Sequence, residues 1–225
     1  MEHEHASHHG HEAHHAHGHG QAAASPGNLN RMAASATLHC LTGCATGEIL
    51  GLIIGTAVGL STGWTIALAV TLAFVFGYTL STLPLLRSGL AVGAALSVVL
   101  AADTLSIAVM EIVDNAVMAM VPGAMEAGLV NVVFWIGMMI ALTVAFFAAY
   151  PVNRALLKRG KGHALIHGHH GTAEPTGARR YIPNLSSGLL VGVIVSFMLG
   201  GLLVATAATL EGTAAGSHSS VEQSP

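Results

Sequence analysis

The sequence predicts an all-α fold, a polytopic transmembrane helix bundle of about five spans behind a disordered, His-rich amino-terminal tail. Three observations carry this reading. Of 225 residues, 52% are apolar and only 8% are Asp, Glu, Lys or Arg, where an ordinary soluble domain has about a quarter of its residues charged; a water-facing surface cannot be assembled from so few. The apolar runs reach the roughly 18 residues needed to cross a hydrocarbon core of about 30 Å as helix. Finally, residues 1–21 contain no apolar central region, so they do not form a secretory signal and the first span must act as its own insertion signal.

Taken in order, residues 2–19 read EHEHASHHGHEAHHAHGH, a low-complexity stretch that cannot bury a core and is expected to be disordered. Its irregular spacing differs from a plain hexahistidine tag, and it is read as a natural His-rich tail. Residues 25–30 form a Gly- and Pro-containing linker, which closes a first region, 1–35. Five apolar spans follow at about 36–60, 64–86, 90–121, 130–150 and 185–210. A basic, His-rich loop occupies 151–184, and 211–225 is expected to be a short disordered tail.

The basic residues set the orientation. Arg87 lies between the second and third spans, and Arg154, Lys158, Arg159, Lys161, Arg179 and Arg180 lie between the fourth and fifth. The positive-inside rule makes both loops cytoplasmic. Five spans then place the amino terminus in the cytoplasm, in agreement with Arg31 before the first span, and put both His-rich segments on that side. A net charge of −3 with no basic stripe outside one loop gives no electrostatic footprint for nucleic acid.

Glycines recur every four residues in the first span (Gly43, Gly47, Gly51, Gly55 and Gly59), and Gly188, Gly192, Ser196 and Gly200 repeat the rhythm in the last. Such glycine-zipper ridges let helices pack closely in lipid. They can join helices of one chain, build a homodimer or dock another membrane protein.

The sharpest chemical constellation is His39, Cys40, Cys44 and Glu48 in HCLTGCATGE. Positions four apart share a helix face, and thiols beside an imidazole suit soft metals; small buried cysteines can equally be packing residues. Glu48 argues for function, because an acid within a span costs about 2.5–3.5 kcal/mol on the insertion scale. The third span adds Asp103, Met110, Glu111, Asp114, Asn115 and Met118, and at 100° per residue its acids and thioethers share a face. No Lys or Arg lies within the spans to pair with these acids, so they must be protonated, bonded to neutral groups or matched by a bound cation. Counted from the inner ends at about 1.5 Å per residue, Glu48 and Asp103 reach similar depths of about 18 and 20 Å. Glu111 and Asp114 approach the outer face, where a hydrated helix end is the bland alternative. Met138 and Met139 read as packing or lipid-facing residues. His163, His167, His169 and His170 form a second cluster of loose imidazole ligands.

The two cysteines do not make a disulfide framework, and no nucleophile elbow, phosphate loop, HExxH or CxxC motif is present, so no enzyme is expected. At HCLTGCATGE, ADTLSIAVMEIVDNAVM and PVNRALLKRGKGHALIHGHH, the chain resembles a bacterial membrane family catalogued as domain of unknown function 4396, over about residues 36–210. The resemblance implies a compact multi-spanning bundle in the bacterial cytoplasmic membrane and supplies no activity. The functional expectation therefore rests on the residues: binding and transport of a transition-metal cation, Cu, Zn, Ni or Co, captured at the histidines and passed along Cys, Glu and Asp. A membrane thiol-redox or cofactor-assembly factor using Cys40 and Cys44, and a structural or regulatory membrane subunit, are the alternatives.

Overall fold

The computed structural model describes residues 26–159, 177–183 and 185–222. These form five helices long and apolar enough to cross a membrane: α1 (Pro26–Ala57), α2 (Thr62–Arg87), α3 (Val92–Met120), α4 (Val132–Lys158) and α5 (Ser187–Glu222), with a short 3-10 helix, Gly177–Tyr181, ahead of α5. The protein is an all-α, multi-pass membrane bundle. Exposed Ile112, Phe147, Leu203 and Val204 give it an apolar exterior suited to lipid, while helices satisfy their backbone groups internally.

Three helix ends differ from the sequence expectation. The linker 26–35 is helical: Pro26 opens α1 where its missing N–H costs nothing, and Ala33 is fully buried. Arg154 Nε donates to Asn30 Oδ1 at 2.8 Å, and Ser35 and Ser187 hydroxyls meet at 2.9 Å. At its other end α4 runs through Pro151 to Lys158, because membrane helices tolerate proline and the turns beyond it are anchored. There Asn153 Nδ2 donates to Thr37 Oγ1 at 2.9 Å and Leu157 is buried. The segment expected as a disordered tail continues α5 to Glu222.

Consecutive helices turn back sharply. α1 and α2 each end in paired bonds, Leu60 N–H to Gly55 O with Gly59 to Thr56, and Leu90 to Leu85 with Gly89 to Leu86. Both turns need a left-handed residue, supplied by Gly59 (φ 71°) and Gly89 (φ 106°). One end of the bundle thus collects Arg31, Arg87, Arg154, Lys158, Arg159, Arg179 and Arg180. The opposite end, at the α1–α2 and α3–α4 connections, carries Glu126 and no Lys or Arg.

α1 is central and touches all four other helices. Its glycine ridge is used within the chain. A Cβ on Gly43 would sit 2.5 Å from Gly77 Cα, one on Gly55 would lie 2.6 Å from the Thr65 side chain, and those on Gly47 and Gly51 would fall on Ala73 and Ala69. The α5 glycines Gly188, Gly192 and Gly200 instead face open space.

Candidate cation site

α1 and α3 run in the same direction, and each turns a polar ridge inward. On α1, Cys40, Cys44 and Glu48 are buried; on α3, Asp103, Ser106, Met110, Glu111, Asp114 and Met118 are buried. The ridges meet in two places. Toward the basic end, Cys40 faces Asp103 and its Sγ lies 3.7 Å from Ser81 Oγ of α2. Further along, Cys44 faces Glu111, and Glu48 faces both Asp114 and Glu111. Both oxygens of Glu48 and of Glu111, Asp114 Oδ1, Asp103 Oδ2 and Ser106 Oγ are buried without an N–H or O–H partner among the described residues, while the Glu48 and Asp114 carboxyls lie within reach of a shared proton. Arg31, Arg87 and Arg154 at the basic end bracket a stretch otherwise free of Lys and Arg.

This register corrects two expectations. Glu48 does not share a level with Asp103; it lies opposite Asp114 and Glu111, with Asp103 opposite Cys40. The cause is the early start of α1, which puts Glu48 about 33 Å along the helix by its rise. Glu111 and Asp114 are not a hydrated helix end either, being 4% exposed each, because α4 and the α3–α4 connection close over them.

His39 is buried but stands apart from the acids. Its Nδ1 lies 2.8 Å from Ser35 O and its Nε2 3.1 Å from Leu185 O, so both ring nitrogens face backbone carbonyls. His163, His167, His169 and His170, and the tail 2–19, lie outside the described residues. Cys40 and Cys44 are free thiols. Among the described residues no three His, Cys, Asp or Glu side chains converge to hold one metal ion.

A cavity of about 450 Å³ opens between the α1–α2 and α3–α4 connections and reaches Glu48 and Asp114. Met118, Met125, Met138, Asn115 and Glu126 also line it. The sequence reading missed Met125 and Glu126, which a turn carries to the mouth. Met138, read as a packing or lipid-facing residue, is a buried core residue that also borders the cavity, on the α4 face that repeats at Phe134, Ala141, Leu142 and Ala145. That spacing was the available signal.

Residues 29–162 match the family described as domain of unknown function (DUF4396). The chain belongs to this family. The DUF4396 match takes in α1 to α4, and with them the acids, both thiols and the cavity, while α5 lies outside it. No curated protein and no solved structure matches the chain.

Proposed function

We propose that this protein binds a transition-metal cation inside the membrane and carries it across. The observation that supports this reading is a run of three buried carboxyl groups, Glu48 facing Asp114 and Glu111, in which both oxygens of Glu48 and Glu111 and Asp114 Oδ1 receive no N–H or O–H donor among the described residues. Buried acids are costly in a membrane helix and mark cation or proton pathways; a cation at this point satisfies oxygens that the chain leaves bare. From the cavity the polar groups continue through Glu111 and Cys44 to Cys40 and Asp103, which gives the cation a route toward the basic end. By the positive-inside rule the basic end and the amino terminus are cytoplasmic. Cargo binding needs only some of these groups at a time, in keeping with a path of successive partial sites rather than one closed chelate.

Elemental analysis of the purified protein tests the reading. Stoichiometric metal retained by a variant lacking residues 2–19 and carrying His163, His167, His169 and His170 as Ala, and lost from Glu48→Gln, is the expected result. Metal absent from both after loading would sink it and favour a structural subunit.

A further inference from the structure

We infer that the cavity between the α1–α2 and α3–α4 connections is a mixed thioether and carboxylate site that selects a soft monovalent cation, Cu(I), over divalent ions. This rests on the cation-carrier reading and adds the class of cargo. Glu48 enters the cavity from α1, Asp114 and Met118 from α3, Met125 from the connection and Met138 from α4. Three methionines from three segments therefore line the same space as the Glu48 and Asp114 carboxyl groups, of which both Glu48 oxygens and Asp114 Oδ1 receive no N–H or O–H donor among the described residues.

Donor chemistry decides the class. Zn(II), Ni(II) and Co(II) favour imidazole with carboxylate, whereas thioethers favour Cu(I). The one imidazole in α1, His39, faces two carbonyls near the basic end and does not line the cavity. His, Cys, Asp and Glu groups do not by themselves converge in threes among the described residues, and beside the oxygen donors Asn115, Thr56, Thr62, Thr65 and Glu126 the cavity offers three methionines as its soft donors. Gly137 leaves room for this arrangement: a Cβ there would come within 3.1 Å of Met118 Sδ.

Methionine also serves as an adaptable filler of apolar gaps, and the test separates filling from binding. Ag(I), a redox-stable probe for Cu(I), and Zn(II) are dialysed separately against the full chain in detergent micelles without chloride. Wild type is compared with Met118→Leu/Met125→Leu/Met138→Leu, which conserves volume, and with Glu48→Gln. Histidine binding is common to all three, so the differences report on the cavity. The expected result is a fall of at least about tenfold in Ag(I) affinity in the triple variant, the scale on which metal-site groups are felt, with Zn(II) binding unchanged. Ag(I) binding equal to wild type, or a parallel loss of Zn(II), overturns the soft-cation assignment. If Glu48→Gln and wild type bind both ions alike, the carrier reading itself falls, which is a separate outcome. Should the triple variant not fold, Met125→Leu at the half-buried connection carries the same test, with a smaller loss of Ag(I) affinity expected and none overturning the assignment.

Discussion

Glu48 on α1 faces Asp114 on α3 at the floor of the cavity, within reach of a shared proton, and neither Glu48 oxygen nor Asp114 Oδ1 meets any other hydrogen-bond partner among the described residues. A buried polar group left unsatisfied costs about 1–3 kcal/mol. Glu48→Gln replaces one acid with an amide that can donate to Asp114, so folding should gain while cation binding suffers. The unfolding midpoint in detergent is expected to stay level or rise by about 2–4 °C, the response to roughly 1 kcal/mol in a chain of this size. A fall in midpoint would mean that Glu48 has a stabilising partner.

The α1–α2 contact predicts unequal effects for chemically identical substitutions. At Gly47 a Cβ falls on the Ala73 backbone, whereas at Gly192 it meets nothing within 4 Å. Gly47→Ala should therefore cost about 1–3 kcal/mol through overpacking, and Gly192→Ala within about 0.5 kcal/mol. Detergent-titrated unfolding of the two variants would read the difference. Equal effects would contradict the close approach of α1 to α2.

Both thiols are buried, Cys40 fully and Cys44 to 2% exposure, and buried cysteines in apolar surroundings are inert. In folded protein a maleimide reagent should label Cys40 and Cys44 slowly, with fast labelling appearing only after unfolding. Rapid labelling of the native state by mass spectrometry would instead support the thiol-redox alternative.

Asn153 and Thr37 tie the basic ends of α4 and α1 across 2.9 Å, both buried. Interhelical hydrogen bonds in membranes are worth about 0.6 kcal/mol on average and about 1.7 at most. A double-mutant cycle with Asn153→Ala and Thr37→Val should give a coupling in that range. A coupling near zero would show that the turns beyond Pro151 are not anchored this way.

The five spans were legible in the sequence because crossing hydrocarbon demands apolar length, and no soluble arrangement of so few charges competes with it. Their ends were less legible. The apolar run of the fourth span stops at residue 150, although α4 continues through Pro151, and residues up to 35 read as tail and linker because the burial of Ala33 depends on neighbours distant in sequence. The acids stood out by their cost in a span, but their pairing did not. Starting α1 at Ala36 rather than Pro26 shifted Glu48 by almost three turns and set it beside the wrong partner, Asp103. Met125 and Glu126 were invisible as site residues because a connection, not a helical period, brings them to the cavity.

Glu126 provides a test of which end the cavity serves. It is exposed and lines the mouth at the end that has no Lys or Arg, whereas Glu48 and Asp114 lie deeper and buried. A charge at a mouth steers an approaching cation and changes the rate of entry, an effect that salt screens over about 8–10 Å. A charge at the floor holds the bound ion and changes the rate of departure. Glu126→Gln should slow Ag(I) binding several-fold at low ionic strength, with little effect at high salt and an unchanged dissociation rate in stopped-flow. Glu48→Gln should show the reverse pattern, faster dissociation with a nearly unchanged entry rate. If Glu126→Gln alters only dissociation, the mouth residue is itself a ligand; if it alters neither rate, the cation enters elsewhere, and the basic end becomes the place to look.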